Sequence, residues 1–258
     1  MPADAAPHPS PAEPEVVPLT SAAQQESLWH DVLAPSFPAV ELAPPDALRA
    51  GLDSGATTAY GVERDGRVVA GIVASWSPGP RVLLVDYLAL APDHRSGGLG
   101  GRLLDRSVAG WREELHPALV LAEVEHPAHH PAHDRHGDPA ARLRFYSRHG
   151  GRVLALPYFQ PGLAGPGSPR VPAMLLVDLA TGPATSTVPA SPVRGFLVEH
   201  LRECEGSLPD DDATRRLLEA ASGDVVALVD PADESALAAL PVGVLAGGGL
   251  YAPEPGSA

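Results

Sequence analysis

The stretch that decides the fold is Asp86-Tyr87-Leu88-Ala89-Leu90-Ala91-Pro92-Asp93-His94-Arg95-Ser96-Gly97-Gly98-Leu99-Gly100-Gly101. Its apolar start predicts a strand, and its proline predicts a turn. From Gly98 onward the hydrophobic period becomes that of a helix. Backbone N–H groups without side chains in the way, at the positive end of a helix, bind anions such as phosphate. The stretch therefore predicts a phosphate site, with Arg95 adding a positive charge at its rim.

Two common phosphate-binding loops do not fit this stretch. A dinucleotide-binding fingerprint that begins at Gly98 needs a third glycine where Leu103 stands, and the turn between the strand and the glycines is too long. A Walker A loop needs a lysine, and all 18 basic residues of the chain are arginines. A different phosphate loop is therefore required.

The flanking segments predict a mixed α/β domain, since strand-like and helix-like periods alternate along the chain. Asp65-Gly66 is a hairpin signal between two of the strands. Strands are predicted over 15–19, 57–63, 67–76, 81–90, 118–125, 152–156 and 173–179, and helices over 21–32, 46–53, 98–115 and 139–149.

The chain divides by composition into four parts. Residues 1–14 are rich in Ala and Pro and predict a disordered tail, and 15–180 form the α/β domain. Residues 181–192 have the composition of a linker, and 193–258 form a small, mainly helical C-terminal extension. For this extension three roles stay open: a cap over the substrate site, a homodimer surface, or simple packing on the sheet.

The motif Arg95-Ser96-Gly97-Gly98-Leu99-Gly100 fits the pattern Arg/Gln-x-x-Gly-x-Gly/Ala. Downstream, Phe145-Tyr146-Ser147-Arg148-His149-Gly150 fits the pattern F-Y-x-x-x-G. With these motifs and the order of its elements, the chain over residues 15–180 resembles the GNAT family of N-acetyltransferases. The resemblance implies the GNAT fold, an α/β fold with a mixed central sheet flanked by helices.

The resemblance also implies the cosubstrate acetyl-CoA, lying where strands 81–90 and 118–125 splay apart. Its pantetheine arm would pair with the backbone of the first strand, and its pyrophosphate would lie on the amides of the glycine-rich turn. The cofactor-binding residues so implied are Leu88, Ala89, Leu90, Arg95, Ser96, Gly97, Gly98, Leu99, Gly100 and Gly101.

The implied reaction is direct attack of a primary amine on the thioester, with Tyr146 as the general acid. A base must also deprotonate the ammonium. Glu123 and Glu125 share one face of a strand near the splay, and Asp86 interrupts an apolar strand. Glu123 is slightly preferred, but all three stay open as the base, as does a water relay. The alternative for each carboxylate is an ion pair with a neighbouring arginine.

The sequence departs from the family in two places. The chain contains no Asn, so Pro139 and Ala140 stand where many members carry one before the tyrosine. Gly151 replaces the usual aromatic residue after the helix. A second function therefore stays open: a catalytically silent GNAT-fold protein that binds acyl-CoA as a sensor or interaction module.

Charge and composition restrict the partners. The net charge of −14 makes nucleic-acid binding a poor hypothesis, and Cys204 is the single cysteine. No apolar run is long enough for a membrane span, and there is no secretory signal, so we expect a soluble cytoplasmic protein. The expected acceptor is a small-molecule or peptide amine.

Five histidines lie between His126 and His136. Neutral imidazole is a common metal ligand, but the loop has prolines and no cysteine, so no metal site is assigned. The loop is instead predicted to be a solvated lid over the acceptor site, and one of its histidines stays open as the catalytic base.

Overall fold

A computed structural model describes residues 15–39, 41–94, 97–133, 137–163 and 165–243. The predicted tail 1–14, Arg95, Ser96 and His136 lie outside the described residues. Within them, nine strands form one mixed sheet in the order β1-β2-β3-β4-β5-β7-β6-β9-β8. The strands are β1 (Val16–Pro18), β2 (Thr57–Arg64), β3 (Arg67–Ser77), β4 (Val82–Leu90), β5 (Leu119–Glu125), β6 (Arg152–Leu154), β7 (Met174–Asp178), β8 (Thr187–Pro189) and β9 (Val225–Val229).

Helices cover both faces of this sheet. The α-helices are α1 (Ala22–Ser27), α2 (Pro45–Ser54), α3 (Leu99–Glu114), α4 (Pro139–Arg148), α5 (Ala190–Glu205), α6 (Asp212–Ala220) and α7 (Glu234–Ala238). A π-helix (Leu28–Leu33) continues α1, and a short 3₁₀ turn (Pro92–His94) precedes α3. The expected mixed sheet flanked by helices is confirmed.

The first four strands form an antiparallel meander. β1 is at the edge, where Pro18 costs no ladder hydrogen bond. The predicted hairpin turn between β2 and β3 has φ of 51° at Asp65 and 75° at Gly66, a left-handed conformation that glycine adopts without strain.

The meander ends at a bulge that shapes the centre of the sheet. Val73 pairs with Tyr87 and Ala74 pairs with Val85, so Asp86 is the extra residue in β4. On its other side β4 is parallel to β5, but this pairing runs only from Val82–Leu119 to Val85–Ala122. The two strands diverge beyond that point, and we call the opening between them the splay.

Alternation along β4 and β5 directs their side chains into two cores. Leu83 and Val120 pack with α3 and α4 on one face, in a cluster that includes Trp111. Leu84 and Leu121 pack with α5 and α6 on the other face, in a cluster around Phe196, Leu197 and Leu217. The splay therefore opens between two helical layers.

The C-terminal segment continues the central sheet. β8 lies inside the predicted linker and pairs with β9, which in turn pairs with β6. Val188 is buried and pairs with Val226, but a three-residue strand gives too short an alternation to be recognised in a sequence. α5 then packs against the sheet beside the splay.

Candidate active site

A cavity of about 440 Å³ lies at the splay on the side of α3. This volume is within the usual range of small-molecule sites. Seven of the predicted cofactor-binding residues line the cavity: Leu88, Ala89, Leu90, Gly98, Leu99, Gly100 and Gly101. The cavity is also lined by three residues that the sequence analysis did not assign to the cofactor: Ser36, Phe37 and Phe145. The first two lie in a proline-rich loop, which carries no recognisable sequence signal.

Glycine at two positions of α3 has a clear physical reason. Gly98 is the N-cap, with φ of 71°, and a Cβ added there would have no atom within 4 Å, so its backbone is open to a ligand. At Gly101 a Cβ would lie 2.5 Å from Cε1 of His149, so any larger residue there would displace this imidazole ring. The first-turn amides of α3 therefore meet the cavity without side chains in the way.

These residues fit a phosphorylated thioester such as acetyl-CoA. The N-terminal amides of a helix bind phosphate, and the edge of β4 beyond Val85 is released from pairing with β5. A backbone edge of this kind hydrogen-bonds an extended, amide-containing chain such as pantetheine.

Tyr146 lies in α4, one residue after the cavity-lining Phe145. It is only 6% exposed and belongs to the core between the sheet, α3 and α4. Burial raises the pKa of Tyr146 to about 12, and nearby Arg142 opposes this rise. The phenol therefore stays protonated at neutral pH and remains a hydrogen-bond donor.

Asp86, the extra residue of the bulge, stands at the splay. Its Oδ2 accepts a hydrogen bond of 2.7 Å from Ser75 Oγ. Asp86 is exposed to solvent at the protein surface. Nearby protein atoms still remove part of the hydration of its carboxylate, and this desolvation raises the pKa of Asp86 to about 7. The Ser75 hydrogen bonds oppose the rise, whereas Glu123 and Glu203 add to it. A carboxylate with this pKa takes up and releases protons near neutrality.

Glu123 is more tightly held than Asp86. Tyr158 Oη donates to its Oε1 at 2.5 Å, and Gln160 Nε2 donates to its Oε2 at 2.7 Å. Burial and the Glu123 carboxylate together raise the pKa of Tyr158 well above its ordinary value. Both oxygens of Glu123 are thus engaged, which favours a binding role over that of a base.

Glu125 has a different surrounding. Its Oε2 lies 3.9 Å from Arg142 Nη1. Glu125 thus forms an ion pair with a neighbouring arginine, which the sequence analysis gave as the alternative to a role as the base. Of the three candidate bases, Asp86 and Glu123 interact electrostatically with each other at the splay. The negative charge of Glu125 is balanced by the arginine beside it.

The sequence analysis left a cap over the substrate site open for the C-terminal extension but did not single out His200 of α5. The buried His200 directs Nε2 toward Glu123 Oε1 at 4.0 Å, and its Nδ1 lies 3.7 Å from Cys204 Sγ. Burial is the main cause that raises the pKa of Cys204 to about 12, and the surrounding carboxylates add to the rise. No local sequence pattern signals these residues, because they meet β5 only through the folded sheet.

The histidine loop differs from its prediction as a solvated lid. His126 and His130 are buried, at 5% and 7% exposure. Their Nε2 atoms face the backbone carbonyls of Leu237 and Pro172, and burial lowers the pKa of His126. The lid interpretation is therefore wrong for these two residues, which pack the loop against the following chain. Among the described residues, no group of His, Cys, Asp and Glu could hold a metal ion.

None of the described helices combines the length and the apolar character needed to cross a membrane.

Comparison with solved structures finds a protein from Bacteroides thetaiotaomicron assigned to the GNAT acetyltransferases, with 24% identity, coverage of 65% of this chain and 87% of that one, and a TM-score of 0.48. The ribosomal-protein-S18-alanine N-acetyltransferase of Escherichia coli has 14% identity, coverage of 65% and 95%, and a TM-score of 0.45. Aminoglycoside 6'-acetyltransferase type Ii has 12% identity, coverage of 66% and 99%, and a TM-score of 0.46.

No curated protein matches this chain. Because all three TM-scores lie below 0.5, the assignment rests on a family match instead: residues 27–150 match the sequence model of the acetyltransferase (GNAT) family. The chain therefore carries a GNAT acetyltransferase domain, which makes it an acyltransferase that uses acetyl-CoA.

Proposed function

We propose that the protein transfers the acetyl group of acetyl-CoA to a primary amine by direct attack at the splay. The observation that carries the proposal is the divergence of β4 and β5 beyond Val85 and Ala122. The proposal is supported by the glycine-rich N-terminus of α3, which lines the cavity, and by Asp86, which directly follows the last residue of β4 paired with β5. Acetyl-CoA supplies an acetyl thioester there.

Binding of the cosubstrate is assigned to the backbone. The amides of Gly98, Leu99 and Gly100 bind the pyrophosphate, and the backbone of Leu88 and Leu90 holds the pantetheine arm in line with the splay. Leu90, Leu88 and Asp86 follow one another along β4, so a pantetheine arm extended along this strand from the N-terminus of α3 would direct the thioester toward Asp86.

Two side chains are assigned to proton transfer. Asp86 takes a proton from the acceptor ammonium, and the resulting neutral amine forms the new C–N bond as the C–S bond breaks. Tyr146 donates its hydroxyl proton to the leaving sulfur, which departs as the CoA thiol, and the excess proton on the new amide nitrogen returns through solvent to the Tyr146 phenolate. The pKa of about 7 at Asp86 supports its role, because the group then exchanges protons near neutral pH.

The test is release of free CoA thiol from acetyl-CoA in the presence of a panel of primary amines. We expect Asp86→Asn to lower kcat by about 100-fold, the ordinary size of a general-base effect, with the KM for acetyl-CoA unchanged. The matched control is Asp224→Asn, since Asp224 is an exposed aspartate ahead of β9.

Equal turnover by wild type and Asp86→Asn would remove Asp86 from the mechanism. Tight acetyl-CoA binding without acetylation of any amine would instead favour the second candidate, an acyl-CoA sensor.

A further inference from the structure

Helix α5 lies outside the matched family domain and borders the splay. Its residue Glu203 is exposed and lies one helical turn after His200, on the same face of α5, and His200 Nε2 is 4.0 Å from Glu123 Oε1 on β5. Glu203 also adds to the raised pKa of Asp86. Glu123 acts on Asp86 in the same way from β5. The splay is therefore bordered by carboxylates from β4, β5 and α5.

Other carboxylates nearby are paired with arginines, whereas Glu123 accepts hydrogen bonds from Tyr158 and Gln160 and lies 4.0 Å from His200. Glu205, two residues along α5, is bound by Arg170 at 2.7 and 2.8 Å, and Glu125 faces Arg142. In contrast, none of the described groups that shift the pKa of Asp86 is a cation. Among the described residues, the carboxylates therefore outnumber their cationic partners where the acceptor must enter.

A second, independent feature points to a ligand at the same place. His200 is 9% exposed, and its buried Nε2 has no hydrogen-bond partner among the described residues. The nearest carboxylate oxygen, Oε1 of Glu123, is 4.0 Å away, beyond hydrogen-bond reach. Two atoms at that separation can both lie about 2.8 Å from one polar atom placed between them. Such an atom would satisfy Nε2, whose burial without a partner is otherwise unfavourable.

We propose that α5 forms one wall of the acceptor site and that this site takes an amine carrying a second positive charge, bound by Glu203 and by Glu123 backed by His200. This inference rests on the proposed function. Asp86 receives the proton of the reacting nitrogen, so a singly charged acceptor leaves both glutamates uncompensated. An acceptor with a second ammonium group neutralises one of them.

The experiment compares 1,4-diaminobutane with butylamine, which has the same carbon chain and one ammonium group. We expect wild type to have a higher kcat/KM for the diamine, and Glu203→Gln to reduce this preference roughly fivefold, the effect of losing one partly exposed ion pair. Glu219→Gln is the matched control, an exposed carboxylate on α6 that keeps the wild-type preference.

Equal use of the two amines by wild type, or an unchanged preference in Glu203→Gln, would overturn the inference while leaving the acetyltransferase proposal intact. If no amine is acetylated, calorimetric binding of 1,4-diaminobutane to the protein saturated with CoA decides the point. Binding that weakens in Glu203→Gln supports the acceptor wall, and no binding overturns it.

Discussion

The two sides of the splay are built differently. The cofactor side comes mostly from one continuous stretch, 86–101, and presents backbone amides and apolar side chains. The acceptor side is assembled from side chains on β4, β5, the loop after β6, and α5, and it is acidic. The first side recognises its ligand by backbone geometry, whereas the second depends on charges that distant parts of the chain bring together.

The largest effect is expected where the two sides meet. Tyr146→Phe should lower kcat about 100-fold and leave acetyl-CoA affinity unchanged, because only the transferable proton is removed. The control is Tyr60→Phe, another buried tyrosine of the same core, whose hydroxyl bonds Glu114 far from the splay. Undiminished turnover by Tyr146→Phe would show that the phenol only packs the core.

The next effect concerns how α5 is attached. Arg170 binds Glu205 with two hydrogen bonds, lies 2.9 Å from Asp211 and stacks over Phe159 at 4.7 Å. We expect Arg170→Ala to lower the free energy of unfolding by about 2 kcal/mol, because a mostly buried contact with Glu205 and a partly exposed one with Asp211 are lost. It should also raise the KM of the acceptor while sparing acetyl-CoA binding.

Urea denaturation and steady-state kinetics measure this effect, with Arg215→Ala as the control, since Arg215 makes only exposed ion pairs. Weakened acetyl-CoA binding in Arg170→Ala would mean that the two sides of the splay are not independent.

Turnover and acetyl-CoA binding should differ in their dependence on pH. Because Asp86 acts as a base only when ionised and its pKa is about 7, kcat/KM should fall about tenfold per pH unit below 7. The affinity for acetyl-CoA, held by backbone amides, should stay level over the same range. Desolvation is the main cause of the raised pKa of Asp86, Ser75 opposes it, and Glu123 and Glu203 add to it, so Ser75→Ala should move the midpoint upward. A profile that stays flat to pH 5 would assign the base to another group.

Protonation of Asp86 also affects stability, with a definite sign. A carboxyl group whose pKa is raised on folding opposes folding as pH rises from its unfolded value near 4 to about 7. Asp86→Asn should therefore raise Tm at pH 8 and have little effect at pH 4, as measured by calorimetric melting. An unchanged Tm at pH 8 would argue against desolvation of this carboxylate.

The smallest effect is expected from the apolar wall of the cofactor side. Phe145→Leu should weaken acetyl-CoA binding about threefold, because part of the lining surface is lost. Phe196→Leu, an aromatic change on the α5 side, should leave this affinity unchanged. Equal losses in both variants would indicate a general loosening of the fold.

The cofactor side was largely predictable from the sequence, because strand, turn and helix follow one another and local periodicity places their ends. The sequence did not predict the partners of Glu123. Tyr158 reaches it from the loop between β6 and β7, and His200 reaches it from α5, which follows β8 and packs on the sheet. Likewise, the sequence analysis included β8 in the predicted linker, because a strand of three residues is too short to show a recognisable alternation of apolar and polar residues.

The partners of Glu123 also changed the ranking of the candidate bases. In the sequence analysis both Glu123 and Asp86 are carboxylates near the splay, with Glu123 slightly preferred as the base. The hydrogen bonds of Tyr158 and Gln160 to one, and the solvent-accessible position of the other, distinguish them only in the folded protein.

The most direct test of the account is calorimetric titration of wild type, Gly98→Glu and Gly66→Glu with acetyl-CoA. Gly98 and Gly66 both have positive φ and open space where a Cβ would lie, so the two variants carry the same strain and charge, but only Gly98 lines the cavity. We predict micromolar binding by wild type and Gly66→Glu and at least 100-fold weaker binding by Gly98→Glu. Equal affinities in all three proteins would contradict placement of the pyrophosphate at the N-terminus of α3.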